Sequence, residues 1–200
     1  MQRYVAFIGG LPCGRDGTGM ETLRGLFGRL GFLNIETYLT SGNVIFDTAP
    51  VGLIRPLEDQ IARHLNKSLE TESVSVFIRT PKQLADIIAR NPFEAAESDH
   101  HSNILFVVFL AEHPDERTEH QLGIRRNDVD DLRVSGREIF WLRRPSEEAV
   151  PPPALSEILD APATVRSFST LVRLMQKCVA HDASLAQRRN SSIESARSRQ

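Results

Sequence analysis

Ser41-Gly42 and Ser135-Gly136 each fill a break of a few residues between two strand-like runs. A break that short joins only antiparallel neighbours, because a parallel crossover needs roughly a dozen residues or more. Residues 34–39 and 43–46 read as the strands around the first break, and 129–134 and 138–142 as those around the second. The two dipeptides stand 94 residues apart, and Ile45-Phe46 and Ile139-Phe140 repeat at the same offset. A chain with two such hairpins reads as two copies of one unit.

The flanking pattern agrees. Tyr4 to Ile8 is a short apolar run suited to a strand covered on both faces. Thr18, with Glu21 three places on, predicts a capping box. The helix it opens carries Met20, Leu23, Phe27 and Leu30 on one face, and Gly31 ends it. After the hairpin, Leu57, Ile61 and Leu65 recur every four residues in a helix over 55–69, and a strand follows over 74–78. That order, βαββαβ, is the ferredoxin-like unit.

Thr80, Pro81 and Gln83 cap a further helix with Leu84, Ile87 and Ile88 as its stripe. The order then repeats: a strand over 104–110, a helix near 115–122, the second hairpin, a short helix over 154–160 and a strand over 163–166. A last helix aligns Leu171, Leu174, Met175 and Cys178. The expected fold class is therefore α+β: two ferredoxin-like βαββαβ units in tandem, their antiparallel sheets carrying helices on one face. The first unit takes residues 1–80; the linker helix and second unit take 81–180. From His181 onward four arginines meet two acids and only Leu185 and Ile193 as large aliphatics, so 181–200 is expected to be a disordered tail.

Composition narrows function by exclusion. Twenty-four basic and 26 acidic residues leave a net charge of -2, so no bulk positive field draws in nucleic acid or an anionic membrane. No apolar run is long enough to span a bilayer. Cys13 and Cys178 are too few for a disulfide framework or a structural zinc site, and a reduced, cytoplasmic setting is expected. His100, His101, His113 and His120 lack metal-ligand spacing, and no metal or cofactor is expected. Asp128, Asp130 and Asp131 read as a solvated turn rather than a cation loop. Phe7, Tyr38, Phe46 and Phe77 lie among aliphatics rather than in a basic strand, which argues against an RNA-binding sheet.

The loop from Gly9 to Gly19 invites a nucleotide reading and fails it. Gly9 and Gly14 open with Walker A spacing, but Arg15-Asp16 stand where Lys-Ser/Thr is required. What survives is a set of flexible amides, Gly14, Gly17 and Gly19, beside Arg15 at a helix N-terminus, where a carboxylate or phosphate is held well. Arg79 and Arg166 each follow an apolar strand in their own half, so each guanidinium is expected at a strand end near the seam between halves, with a structural salt bridge as the default role of both.

Several stretches taken together resemble a known family: Gly9 to Arg15 followed by Met20 and Leu23, Thr37 to Phe46, Arg79-Thr80, Asn91-Pro92-Phe93, and Ala163 to Thr170. Over about 1–180 the chain resembles the bacterial domain-of-unknown-function family 1697. The resemblance implies the two-part ferredoxin-like fold and carries no reaction with it. At Gly9, Pro12, Thr40, Ser167 and Ser169 this chain departs from the larger polar residues of the family, so a site lined by those positions would be altered here. Asn43, from the best-matched stretch, joins Gly14, Arg15, Gly17, Gly19, Arg79 and Arg166 as the candidate ligand-binding set. Catalytic residues stay unassigned, and no feature speaks to oligomeric state. The expected role is a non-catalytic binding or scaffold protein for a small anionic ligand or a protein partner. The alternatives are an enzyme acting on a phosphorylated or carboxylated metabolite, with Arg15, Arg79 and Arg166 on the anion, and an RNA-binding protein.

Overall fold

A computed structural model describes residues 1–12, 19–93, 102–148 and 153–181. The first unit runs β1 (Gln2–Gly9), α1 (Met20–Arg29), β2 (Leu33–Tyr38), β3 (Asn43–Thr48), α2 (Ile54–Ser68) and β4 (Ser75–Arg79). Helix α3 (Pro81–Ala89) links it to β5 (Ile104–Leu110), α4 (Glu116–Ile124), β6 (Asp130–Ser135), β7 (Glu138–Arg143), α5 (Leu155–Ile158) and β8 (Ala163–Ser167). A final helix, α6, covers 168–181. The sheets are ordered β2-β3-β1-β4 and β6-β7-β5-β8, with every pairing antiparallel. The two units are thus tandem copies of one topology, as the repeated element order predicts.

Strand alternation sends each sheet two ways. On β1, Tyr4, Ala6 and Ile8 pack with Leu23, Phe27, Leu57, Ile61 and Leu65 of α1 and α2. On β5, Val108 and Leu110 pack with Leu122 and Ile158 of α4 and α5. The opposite faces meet each other: Val5, Phe7, Ile45 and Phe77 pack against Leu105, Val107, Phe109, Phe140 and Leu142. Leu84 and Ile87 of α3 and Leu171, Leu174 and Cys178 of α6 extend this shared core. At its centre the Phe7 and Phe109 rings stack with centroids 4.0 Å apart. Each of these large side chains gains roughly 1.5–3 kcal/mol on burial, so the seam is the common foundation of both halves. Phe7, Phe46 and Phe77 are buried in these cores, and Tyr38 is half-buried.

Local chemistry explains the boundaries, with four corrections. Thr80 accepts from the Gln83 backbone while Gln83 bonds back to Thr80, with Pro81 at the first position, so the predicted cap of α3 is present. At α1 the cap is Gly19 rather than the predicted Thr18, which lies outside the described residues; Gly19 offers no side-chain bond, and Glu21 pairs with Arg24. Asp130 and Asp131 are buried rather than solvated. Asp130 accepts from Trp141 Nε1 at 2.7 Å, and Asp131 pairs with Arg126 and Arg133. The helices expected at 115–122 and 154–160 run instead over Glu116–Ile124, after an Asp115 cap, and over Leu155–Ile158.

The fourth correction concerns register. Phe7 pairs with Asn43, and Phe109 pairs with Glu138. Asn43 and Glu138 are therefore equivalent, one residue away from the match given by the Ser-Gly dipeptides. The first hairpin spans Leu39 to Gly42, whereas only Gly136 and Arg137 separate Ser135 from Glu138 in the second.

Candidate functional site

An approximate two-fold relation organises the polar groups at the seam. Arg79 lies opposite Val5 and Arg166 opposite Val107, equivalent positions on β4 and β8. Arg79 donates from Nε to Glu138 Oε1 (2.8 Å), from Nη1 to the Ile78 carbonyl (2.8 Å) and from Nη2 to the Leu110 carbonyl (3.3 Å). Arg166 repeats the pattern with Asn43 Oδ1 (2.6 Å), the Val165 carbonyl (2.7 Å) and the Ile8 carbonyl (2.8 Å), and adds Thr164 Oγ1 and the Gly42 carbonyl. Each guanidinium also lies over the other unit's central ring, Arg79 over Phe109 and Arg166 over Phe7. The two seats differ in charge. Glu138 neutralises Arg79, while Arg166 has neutral acceptors in these bonds. Burial pushes the Arg166 pKa down to about 10, so it remains a cation at neutral pH. Burial also lowers the Arg79 pKa, against the opposing pull of Glu138.

This placement bears on the predicted ligand set. Gly14, Arg15 and Gly17 lie outside the described residues, as does the expected tail from 182 onward. Gly19 is exposed at the start of α1. Asn43 and Arg166 come together, but their polar atoms are spent on each other and on the seam; Asn43 Nδ2 donates to the Tyr38 carbonyl and Ser41 Oγ. Arg79 sits at the equivalent place in the other half with its donors likewise occupied. These side chains pin the halves together.

A cavity of about 570 Å³ opens elsewhere along the seam. Its walls are Arg55, Glu58, Asp59 and Ala62 of α2, residues 74–77 leading into and along β4, the β5–α4 connection from Leu110 to Asp115, and the α5–β8 connection from Leu159 to Pro162. Its construction follows from β4 being an edge strand, whose outward amides have no ladder partner. The Ile78 amide points outward and donates to Glu58 Oε1 at 2.7 Å. That bond draws a carboxylate into the wall, where Glu58 is 1% exposed. Glu58 Oε2 has no hydrogen-bond partner. Its ion-pair partner is Arg55, whose Nη1 stands 4.0 Å away while its Nε engages Asp59 at 3.3 Å. Arg79 Nη1 lies 3.9 Å from Oε1, with its charge already shared with Glu138. Burial raises the Glu58 pKa, and the Ile78 amide and the nearby Arg79, Arg137 and Arg55 only partly offset it.

Sequence reasoning overlooked Glu58, although a signal was present. At about 100° per residue, Glu58 falls about 20° beyond Leu65 on the apolar arc of α2. A carboxylate in a buried arc requires a partner or a purpose. Among the described residues, no group of three or more His, Cys, Asp or Glu side chains is arranged to hold a metal ion. Nor is any helix among them long and apolar enough to cross a membrane.

The family model described as a protein of unknown function, DUF1697, matches residues 1–140. Among solved structures, the chain is similar to the conserved bacterial protein SP0830 from Streptococcus pneumoniae. That likeness has a TM-score of 0.66 and 18% identity, and covers 88% of this chain and 98% of that one. At such identity it speaks to the fold. No functionally curated protein matches the chain.

Proposed function

We propose that this chain, which belongs to the DUF1697 family, is a small-molecule-binding protein whose ligand occupies the seam cavity beside Glu58. One observation carries the reading: Glu58 lines the cavity, and its buried Oε2 has no hydrogen-bond partner. An unsatisfied buried polar group costs roughly 1–3 kcal/mol, and a donor on a bound ligand removes that cost. The volume of about 570 Å³ falls within the usual range for small-ligand pockets. This reading keeps the expected binding role and moves the ligand away from the seam arginines, whose donors serve the fold. The setting we propose is cytoplasmic, on the low cysteine count of two.

The same residue favours a second reading, an enzyme in which Glu58 passes a proton. Its raised pKa is the direction that a carboxyl general acid needs near neutral pH. The two readings differ in whether the bound molecule is changed, which product analysis of the bound species decides.

The test is a thermal-shift screen of the purified chain against amines, sugars, nucleosides, carboxylates and phosphates. Calorimetric titration of the best hit into wild type and Ala161→Trp follows, the variant adding bulk at an exposed position on the rim. Binding that disappears in Ala161→Trp, with the melting temperature unchanged, is the expected result. Equal affinity in the two proteins, or no hit across the screen, overturns the reading.

A further inference from the structure

We infer that the cavity selects an organic cation, an alkylamine or guanidine, whose N–H donates to Glu58 Oε2; this rests on the binding role proposed above. Two independent features meet here. The first is Glu58 itself, buried, hydrogen-bonded through Oε1 alone and lining an open cavity. The second is the sign of the surrounding charge. Asp59, Glu112, Asp115 and Asp160 also line the cavity, whereas among the described residues Arg55, already engaged by Asp59, is its one arginine or lysine, and His113 on the same wall lies beside Glu119. A concave, low-dielectric wall with an excess of one sign concentrates potential and raises the local concentration of the opposite charge.

The chemistry of the ligand follows from what else faces it. A metal ion is a poor occupant, because the described carboxylates do not converge in a group that would ligate one. Val74, Val76, Leu110 and Pro114 give the wall an apolar part that suits hydrocarbon attached to the charged group. An anion would face the acidic side chains, and a neutral alcohol would satisfy Oε2 without using the field. An ammonium or guanidinium does both. The charged groups acting on Glu58 are Arg55 from α2, itself paired with Asp59, Arg79 from β4 and Arg137 from the second hairpin turn. A bound cation adds an opposite charge on the cavity side and favours the ionised carboxylate, so binding releases protons and tightens as pH rises.

The experiment uses three probes of like length: 1,5-diaminopentane, 1,5-pentanediol and glutarate, with agmatine as a guanidine-bearing fourth. Each is titrated by calorimetry into the full chain, in two buffers of different ionisation enthalpy. The diamine or agmatine is expected to bind at least tenfold more tightly than the diol, about 1.4 kcal/mol, with glutarate not binding. Amine binding should weaken with salt and release protons. Glu58→Gln should weaken the amine about tenfold while changing the diol by less than about threefold. Should Glu58→Gln fail to fold, Asp160→Asn, an exposed change at the rim, should still lower amine affinity and its salt dependence. Equal affinities for diamine and diol, amine binding indifferent to both variants, or no amine binding at millimolar concentration overturns the inference. A neutral or anionic molecule that binds in wild type and is lost in Ala161→Trp overturns the cation choice and leaves the cavity-binding reading standing.

Discussion

Arg79 and Arg166 occupy the same seat in the two units, and their partners differ by one charge. Replacing Arg79 by Met strands Glu138 in the seam with only the half-exposed Arg90, 3.3 Å away, to answer it. A buried charge left so poorly paired costs roughly 3–5 kcal/mol. Arg166→Met leaves neutral acceptors instead, Asn43, Thr164 and three carbonyls, at a cost of roughly 1–3 kcal/mol. Urea denaturation should therefore rank Arg79→Met as the more damaging change; the reverse order would mean that Glu138 is not the controlling partner. Glu58 gives a pH signature. Its folded pKa lies above the ordinary 4.5, so the native chain holds a proton that the unfolded chain has lost. The stability this contributes is complete below about pH 4.5 and fades as pH rises through the native value. The advantage of wild type over Glu58→Gln in unfolding free energy should shrink from pH 4.5 towards neutral, and a flat difference would mean that Glu58 titrates normally. Asp47 and Asp131 do not blur the comparison. Burial raises their pKa values, but hydrogen bonds from Arg3 and Asn34, and from Arg133 and Arg126, outweigh it and leave both below 3.8. Their contributions are present above that value, are lost only as pH falls below it, and are common to both proteins.

The two hairpins show how far an element can be read from its residues. Gly42 and Gly136 both have positive φ, at 77° and 66°, so each turn uses a backbone region that other residues enter at a cost of roughly 1–2 kcal/mol. Their surroundings separate them. A Cβ at Gly42 would stand 2.7 Å from Leu11 Cδ1 and 3.1 Å from the Ile8 carbonyl, on the strand that Arg166 also grips. At Gly136 it would meet the end of the Arg90 side chain at 3.1 Å, which can move aside. Gly42→Ala should lower the melting temperature more than Gly136→Ala, and equal losses would show that the turn conformation alone sets the cost. The order of elements was legible because apolar runs, short breaks and glycines are local signals. Register was not. The repeated Ile-Phe matches Phe46, in the helix-covered core of the first unit, with Phe140, in the seam. The true equivalents are Ile45 and Phe140, both in the seam, since a one-residue slip turns every side chain to the other face. The cavity was hidden for a related reason: its walls come from α2, β4 and two connections of the other unit, which no local pattern brings together.

At the scale of the whole molecule, the seam core makes the halves one cooperative object. Trp141 reports on the second unit and far-UV circular dichroism on the whole chain, and their urea transitions should coincide. Phe109→Ala, which removes one ring of the central stack, should cost roughly 3–5 kcal/mol and shift both signals together. Separated midpoints would mean that the units stand independently. Reciprocal arms across a two-fold, each unit's arginine gripping its neighbour, are the contact pattern of an isologous dimer, in which residue i meets j and j meets i. In an assembly of two identical chains, every substitution is made twice, and a damaging one strikes both arms at once. Joined in a single polypeptide, the copies are released from that obligation. One end of this axis carries a carboxylate opposite its arginine and the other an amide, a division of labour that a pair of identical chains could not hold.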